Sequence, residues 1–398
     1  MIYNLSIIRN LFITASMFIL TSCSDVNLSG KSSPDLTIKK VGFLTDHNDP
    51  GIKIIADKLR HSESTLTHIL VLGDSHIAAD FFTGTLRHQF QRKYGNGGIG
   101  FISALRIPGN RYDNVHFEKA TGWKLIHSRN SRKKDFPFGG SIAFPTMHNN
   151  KVQIALSADD MFSVARILYR TSGDSVVHFQ NQTLRLRNTN GHWRFTEPVY
   201  VPSSFSFSAD RNQRPGFAGI WLTAMHSQGV IVSSLGINGA QISMLDRWEK
   251  NWVDTLAQIK PDMVILAYGT NEAFSSDISV RHYQETLIRQ IRAIRQANPD
   301  VAVLLIGPGS SIRNKNMSEC MQRQPVSLKK IISVQKEVSG REHTLFWDWF
   351  SWMGGDCSVD RWAHQGKAGK DRIHLTPEGY RESALSLWNE FQEIIRYK

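Results

Sequence analysis

The sequence has 398 residues, of which 41% are hydrophobic and 21% charged, with 29 glycines but only 13 prolines. This composition excludes a disordered or collagen-like chain, and three cysteines are too few for a disulfide-framework fold. The formal net charge of +12 favours polyanionic surroundings, such as a carboxylate-bearing cell-wall polymer or anionic lipid, although a basic surface without a specific partner predicts the same charge.

The first 22 residues have the features of a secretory signal peptide. Arg9 is their one charged residue, and the apolar stretch 11–20 follows it shortly before Cys23. This ending resembles the bacterial lipobox, which implies that the Cys23 thiol is acylated and holds the mature chain at a membrane. The alternative is an ordinary signal peptide with a chance cysteine. Ser24 after the cysteine implies the periplasmic face of the outer membrane, and export argues against nucleic acid as a partner.

Export would place Cys320 and Cys357 in an oxidising compartment. We predict a disulfide between them that contributes about 2–4 kcal/mol, with two separate buried thiols as the alternative. The sequence has no HExxH or paired-cysteine metal pattern, so we expect no metal and no other cofactor.

The composition divides the chain into five segments. The signal peptide at 1–22 is followed by a lipid-anchored tether at 23–45, which begins with residues rich in Ser, Asn and Gly. Apolar strands alternate with amphipathic helices over 46–101 and again over 228–398, which predicts a parallel sheet buried on both faces. Residues 102–227 instead show short alternating segments with Gly and Asn turns, and they predict an inserted β-rich domain.

Five βα units are predicted in chain order. The first has a strand at 69–72 and a helix at about 79–94. The other four follow the insert, with these strands and helices: 229–234 and 241–259, 263–268 and 280–297, 301–306 and 325–338, and 344–349 and 377–395. The pattern therefore predicts a five-stranded parallel sheet.

Polar motifs follow several of these strands at the sheet edge where open parallel sheets bind ligands. Topology would bring four of them together. They are Gly73-Asp74-Ser75-His76, Gly236-Ile237-Asn238-Gly239, Gly269-Thr270-Asn271-Glu272 and Asp371-Arg372-Ile373-His374.

Ser75 is the candidate nucleophile, because a strand-to-helix turn would expose its hydroxyl. His374 can take the hydroxyl proton while Asp371 holds the other ring nitrogen. The main-chain N–H groups of Ser75 and Gly239 and the side-chain amide of Asn271 can form an oxyanion hole. The structural alternatives are a helix cap or surface ion pair for Asp371, a turn for Asn271 and a loop glycine for Gly239.

The four motifs resemble those of the SGNH subgroup of the GDSL hydrolases. The order and spacing match, but His76 stands where many members have leucine, and Glu272 where they have aspartate. The resemblance implies a flavodoxin-like three-layer α/β sandwich. The subgroup is named for four residues, which here are Ser75, Gly239, Asn271 and His374.

Three further segments resemble bacterial peptidoglycan O-acetylesterases of the Ape type: HIAADFFTG at 76–84, YGNGGIGF at 94–101, and FWDW with MGG within 346–355. In that family a β-sandwich like a carbohydrate-binding module interrupts the hydrolase domain after its first βα unit, which fits residues 102–227. The resemblance implies a serine esterase that removes the acetyl group from the C6 hydroxyl of N-acetylmuramic acid in O-acetylated peptidoglycan.

Other functions stay open at this point. The same site could act on another acetylated glycan or transfer acetyl groups between sugars, and a wall-binding lipoprotein could carry it in vestigial form. Aromatic and basic residues of the insert are candidates for glycan contact, namely Trp123, Tyr169, Arg185 and Trp193. Four later tryptophans either line a sugar-binding rim or belong to the core, namely Trp347, Trp349, Trp352 and Trp362.

Overall fold

The computed structural model describes residues 38–131, 135–157, 162–250 and 252–398. The predicted signal peptide, Cys23 and most of the predicted tether lie outside these ranges. The described residues belong to one compact unit. Within them, no helix combines the length and the apolar character that a bilayer crossing requires.

Strands and helices are numbered here in chain order for the described residues. The strands are β1 (Lys39–Val41), β2 (Leu44–Asp46), β3 (Leu66–Gly73), β4 (Gly100–Ser103), β5 (Val115–Thr121), β6 (Trp123–His127), β7 (Ser141–Pro145), β8 (Lys151–Leu156), β9 (Phe162–Arg170), β10 (Ser175–Phe179), β11 (Gln182–Leu186), β12 (Arg194–Phe195), β13 (Val199–Pro202), β14 (Ser204–Ala209), β15 (Gly216–Ala224), β16 (Gly229–Gly236), β17 (Met263–Ala267), β18 (Ala302–Ile306) and β19 (Leu345–Trp347). The α-helices are α1 (Ile52–Arg60), α2 (Ser75–Ala78), α3 (Phe81–Tyr94), α4 (Trp252–Ile259), α5 (Thr270–Phe274), α6 (Val280–Ala297), α7 (Cys320–Arg323), α8 (Leu328–Arg341), α9 (Trp349–Met353), α10 (Ser358–His364) and α11 (Pro377–Ile395).

The central sheet has the strand order β1-β2-β19-β18-β17-β3-β16. Five of these strands are mutually parallel, namely β16, β3, β17, β18 and β19. If these five strands are numbered by their order in the chain, their order across the sheet is 2-1-3-4-5, which is the flavodoxin-like arrangement. Its topological switch point lies between β3 and β17, so a crevice forms at the carboxyl ends of these two strands.

Both faces of the parallel sheet are covered by helices. Along β3, Leu70 and Leu72 belong to the same apolar core as α4, α6 and α8, whereas Ile69 and Val71 belong to the core with α1, α3 and α11. Successive side chains of a strand point to opposite faces, so a continuous apolar run fills two cores at once. The result is a three-layer α/β sandwich.

Two short strands extend the sheet beyond the five predicted ones. β2 pairs antiparallel with β19, and β1 pairs antiparallel with β2. Glu390 of α11 accepts a hydrogen bond from the Phe43 N–H at 3.0 Å and so fixes the turn between them. The predicted tether at 23–45 is therefore too long at its carboxyl end. Strands of three residues are too short to produce a recognisable periodicity.

The helix predicted over 241–259 is interrupted. The structure has a 3₁₀ helix at Ile242–Arg247 and begins α4 only at Trp252. Between them, Trp248 forms a parallel β-bridge with Phe136, and the Glu249 N–H donates to the Phe136 carbonyl at 2.7 Å. Because the insert takes these main-chain hydrogen bonds, the helix cannot continue through residue 248.

The insert consists of two antiparallel sheets. One has the order β11-β10-β14-β8-β5, and the other β12-β9-β15-β7-β6, with β13 also paired to β9 and β4 to β15. Ile154 and Phe205 of the first sheet share a core with Ile167 and Ile220 of the second. The predicted fold class is confirmed: a parallel five-stranded α/β sandwich interrupted by a β-rich insert.

The insert is anchored directly on the parallel sheet. The Phe101 N–H of β4 donates to Ser233 Oγ of β16 at 3.0 Å. Gly100 has φ +87°, and a Cβ there would lie 2.2 Å from Ser233 Oγ, so only glycine permits this close approach. The first strand of the insert therefore begins at residue 100 and lies against the parallel sheet.

Candidate active site

Ser75 lies at the start of α2, directly after β3. The Asp74 side chain caps this short helix by accepting a hydrogen bond from the His76 N–H at 2.9 Å. At Gly73 a Cβ would lie 2.8 Å from the Ala267 carbonyl oxygen of β17, so a side chain cannot be accommodated where the two strands meet. This turn places the Ser75 hydroxyl at the switch point of the sheet.

A line of hydrogen bonds connects Ser75, His374 and Asp371. The Ser75 hydroxyl lies 2.8 Å from His374 Nε2, and His374 Nδ1 lies 2.7 Å from Asp371 Oδ2. The side chains of His374 and Asp371 are 44% and 46% exposed, so solvent reaches the site. The structure thus brings together the three residues that the sequence selects as nucleophile, base and orienting acid.

The loop before α11 fixes this geometry locally. The main-chain N–H groups of Ile373 and His374 both donate to Asp371 Oδ1, at 3.0 and 3.1 Å. The Gly369 N–H donates to the His374 carbonyl at 2.7 Å and closes the loop. Burial raises the pKa of the Asp371 carboxyl, but the hydrogen bonds from the His374 ring and from these N–H groups outweigh burial and hold the pKa below its usual value.

Asn271 and Gly239 lie beside the nucleophile on neighbouring loops. The Asn271 side-chain amide donates to the Ala240 carbonyl at 2.9 Å and makes a longer contact of 3.5 Å to Asp74 Oδ2. Gly239 has φ +70°, in the left-handed region that favours glycine. The predicted oxyanion residues therefore come from three adjacent strand ends, and Asn271 connects the other two loops.

Glu272 has a supporting role that the sequence did not reveal. It is 2% exposed, and its two carboxylate oxygens accept hydrogen bonds from the Gly269 N–H at 3.0 Å and the Ile242 N–H at 2.7 Å. It thereby ties the loop of Asn271 to the segment that follows Gly239. Burial raises the pKa of this carboxyl to about 7. The sequence did carry one signal of this role, because glutamate stands where many members of the resembling family have aspartate, and its longer side chain spans the two loops.

Two more buried titratable groups lie behind the nucleophile. Burial raises the pKa of Asp74 to about 7, against the opposing effects of the His76 N–H and the His374 ring. Burial lowers the pKa of His76 to about 3, and its Nδ1 lies 2.9 Å from the Tyr380 hydroxyl. His76 is therefore a neutral ring at neutral pH, and it packs 5.4 Å from the His374 ring between centroids.

Arg129 is a residue of the insert that contacts the predicted oxyanion loop. Arg129 donates a hydrogen bond from its guanidinium to the Asn238 carbonyl. A Cβ on Gly239 would lie only 1.6 Å from Arg129 Nη1, so the guanidinium occupies the space that a side chain would need. No sequence motif pointed to Arg129, because the contact depends on how the insert packs on the sheet.

The structure joins Cys320 and Cys357 in a disulfide. Asp360, three residues after Cys357, accepts hydrogen bonds from Arg323 and from Arg372 Nε, the latter at 3.0 Å. Arg372 is the neighbour of Asp371 in the chain. The bridged segment therefore supports the loop that carries the acid and the base.

The tryptophans and aromatic candidates turn out to be mainly core residues. Trp347, Trp349 and Trp362 are buried in the core beside α11, and Trp352 packs partly buried against it. In the insert, Tyr169 and Trp193 are buried, whereas Arg185 is exposed and pairs with Asp174. Among the described residues no cluster of His, Cys, Asp and Glu could hold a metal ion.

A Ser-His-Asp relay at the switch point of a 2-1-3-4-5 parallel sheet, with glycine and asparagine on the adjoining loops, defines a serine hydrolase of the SGNH class. A family model described as GDSL-like lipase/acylhydrolase matches residues 200–382. A second, described as peptidoglycan O-acetylesterase, N-terminal, matches residues 97–202.

Among solved structures, a peptidoglycan O-acetylesterase is 30% identical with a TM-score of 0.81, and the match covers 90% of this chain and 100% of that one. The chain belongs to this family of GDSL-like esterases, which confirms the predicted enzyme class. An acetyl xylan esterase is 18% identical with a TM-score of 0.31 over 40% of this chain and 79% of its own. A salicylyl-acyltransferase from a tetracycline biosynthetic pathway is 10% identical with a TM-score of 0.32 over 73% and 98%. A search of curated proteins finds no match.

Proposed function

We propose that this protein removes acetyl groups from the C6 hydroxyl of N-acetylmuramic acid in O-acetylated peptidoglycan, through an acyl-enzyme on Ser75. The observation that carries the proposal is the hydrogen-bonded line from Ser75 through His374 to Asp371. The similarity to a peptidoglycan O-acetylesterase over 90% of the chain supports the choice of polymer.

In the first half-reaction, Ser75 Oγ attacks the acetyl carbonyl carbon while His374 Nε2 takes the hydroxyl proton. Asp371 keeps the ring in the tautomer that leaves Nε2 free, and it stabilises the imidazolium that forms. The tetrahedral intermediate then collapses: the bond to the sugar oxygen breaks, and His374 returns its proton to that oxygen. Ser75 is left acetylated, and the sugar leaves with a free C6 hydroxyl.

The negative oxygen of the intermediate requires hydrogen-bond donors. The Ser75 and Gly239 N–H groups and the Asn271 amide are the candidates. The 3.5 Å contact of Asn271 with Asp74 is long for a hydrogen bond, whereas its 2.9 Å bond to Ala240 is of normal length. Asn271 can therefore keep its anchor on Ala240 and direct its second N–H to the oxyanion.

In the second half-reaction a water molecule attacks the acetyl-enzyme, and His374 again acts as the base. Acetate leaves and the Ser75 hydroxyl is restored. Transfer to another sugar would need a site that excludes water from the acyl-enzyme. The nearly half-exposed side chains of His374 and Asp371 favour hydrolysis, because water can approach the base directly.

The place of action in the cell is part of the same proposal. Cys23 would carry the lipid and residues after it would connect the enzyme to the periplasmic face of the outer membrane, where peptidoglycan is within reach. Wild-type cells should incorporate labelled palmitate into this chain, and a Cys23→Ser variant should not. Absence of label in the wild-type chain would contradict the lipid anchor.

The substrate can be tested by acetate release from a panel of polymers. Purified O-acetylated peptidoglycan should release acetate with the wild-type enzyme but not with Ser75→Ala. Ser64→Ala, a control substitution at an exposed serine, should match the wild type. Faster release from acetylated xylan than from peptidoglycan would move the function to another glycan. Acetate appearing on a sugar acceptor instead of in solution would identify a transferase.

A further inference from the structure

A cavity of about 260 Å³ lies in the β-rich insert, where β7, β9 and β15 meet. Its apolar wall is formed by Ile142, Phe144 and Trp193. Positive charge comes from Arg170 and Arg214. Apolar walls combined with a few polar groups are typical of small-molecule and sugar sites. None of the described residues that line this cavity is acidic.

Arg170 is held in a fixed position at this cavity. Its guanidinium lies over the Trp193 ring, 4.7 Å from the centroid, and Arg170 Nη1 pairs with Asp135 Oδ2 at 2.9 Å. The side chain is nevertheless 24% exposed, so part of the guanidinium fork remains open to a ligand. A planar cation immobilised in this way binds a carboxylate at a smaller entropic cost than a free surface arginine does.

Arg214 supplies the second cation. It is exposed, and its side chain makes no hydrogen bond or ion pair with the described residues. Its main chain is in the left-handed region, with φ +43°, which arginine rarely adopts. The Arg214 N–H closes a turn onto the Arg211 carbonyl at 2.9 Å and fixes this conformation. The turn therefore presents an uncompensated guanidinium at the cavity.

The cavity is connected to the catalytic half by hydrogen bonds. Asp135, the partner of Arg170, donates its main-chain N–H to the Arg247 carbonyl at 2.9 Å. Arg247 ends the 3₁₀ helix that follows Gly239, and Arg247 Nη1 donates to the Ser128 carbonyl at 2.6 Å. Ser128 precedes Arg129, which contacts the oxyanion loop. These hydrogen bonds therefore fix the position of the cavity relative to the loops of the active site.

We infer that this cavity is a subsite for a carboxylate-bearing sugar unit of the glycan polymer, with Arg170 and Arg214 holding the carboxylate and the apolar wall covering one face of the sugar ring. The inference rests on the proposed function only in taking the ligand to be the polymer substrate. In peptidoglycan the carboxylate can come from the lactyl group of a muramyl residue without a stem peptide, or from the stem peptide itself. The chemistry recognised is the same in both cases.

Binding should be measured by calorimetry in the Ser75→Ala background, so that hydrolysis does not change the ligand. The ligands are glycan strands stripped of stem peptides, muropeptides that retain them, and chitin oligosaccharide, which has no carboxylate. Arg214→Gln should weaken binding of the carboxylate ligand about tenfold or more, the size expected for a charge-assisted hydrogen bond, and should leave chitin binding unchanged. Arg170→Gln should have an equal or larger effect.

Arg281→Gln is the matched control, since it removes one positive charge from an exposed arginine on α6 that pairs with Glu285. An equal loss of binding with Arg281→Gln would reduce the effect to general charge and overturn the inference. Unchanged binding with Arg214→Gln would also overturn it.

Selective binding of the stripped strands would assign the lactyl carboxylate, and selective binding of the muropeptides would assign the stem-peptide carboxylate. Because Arg214→Gln in the Ser75 enzyme should keep its activity on 4-nitrophenyl acetate, failure of this subsite is distinguishable from failure of the esterase proposal.

Discussion

The parallel sandwich and the β-rich insert differ in how directly their sequences report function. In the parallel half, the candidate residues follow strand ends, and topology gathers those ends at one edge. In the antiparallel insert, side chains alternate between core and surface, and a shift of one residue exchanges the two. Tyr169, chosen by residue type, is therefore buried in the core, whereas Trp193 is buried but lines the cavity together with Arg170 and Arg214. The order of motifs along the chain therefore identifies functional residues in the parallel half, whereas in the β-rich insert they can be identified only from the packing of the structure.

The largest difference between the two halves should appear when the nucleophile or base is removed. Ser75→Ala and His374→Ala should each lower kcat/KM for 4-nitrophenyl acetate by about 10⁴-fold or more, and the double variant should lose little further, because the two residues act as a unit. Circular dichroism should be unchanged. Arg214→Gln in the insert should leave this small-ester activity intact. A comparable loss from the insert variant would remove the distinction.

Asn271 should come next in size. Asn271→Ala should reduce kcat about 100-fold with little change in KM, because its amide acts mainly on the developing oxyanion. Asn271→Asp keeps the shape of the side chain but replaces the donor with an acceptor. It should be at least as impaired, and full activity in Asn271→Asp would exclude Asn271 as an oxyanion donor.

The contact between the halves can be tested at Gly239. Gly239→Ala should reduce kcat about tenfold, because φ +70° disfavours a Cβ and the new methyl group overlaps the Arg129 guanidinium. Adding Arg129→Ala should recover part of the activity by removing the overlap but not the backbone strain. No recovery in the double variant would show that the overlap contributes nothing, and that Arg129 does not shape the loop.

The smallest effect concerns pH and stability. Burial raises the pKa of Glu272 to about 7, so the folded protein binds this proton more tightly than the unfolded chain does. Its contribution to the free energy of unfolding is therefore greatest below the ordinary glutamate pKa and is lost as the pH rises through about 7. Glu272→Gln should flatten the decline in Tm between about pH 5 and pH 8, while the exposed-site control Glu63→Gln should keep the wild-type slope. An unaltered slope in Glu272→Gln would contradict the role of this carboxyl.

The sequence predicted the five-stranded parallel sheet because long apolar strands and amphipathic helices leave a strong periodic signal. It could not predict β1 and β2, which are only three residues each, or the interruption at Trp248, where tertiary hydrogen bonds to Phe136 override helical propensity. The active site likewise combines residues that local sequence patterns reveal with residues that only tertiary packing places there. Ser75 and His374 lie in recognisable motifs, whereas Arg129 reaches Gly239 only because the insert packs against the sheet.

The support given by Glu272 falls between these cases. Its identity is visible in the sequence, but the bond to the Ile242 N–H depends on two loops that are 30 residues apart. Local patterns report which residues are suited to a reaction, whereas the groups that hold them in place come from elsewhere in the chain.

The most direct test of the central claim is mass spectrometry of muropeptides prepared from O-acetylated peptidoglycan after incubation with the enzyme. Wild-type protein should remove the mass of one acetyl group from muramyl residues only at O6, leave the N-acetyl groups in place and release an equivalent amount of acetate, while Ser75→Ala should leave the spectrum unchanged. Persistence of the O6-acetyl muropeptides with fully folded wild-type enzyme, or their loss with Ser75→Ala, would contradict the account.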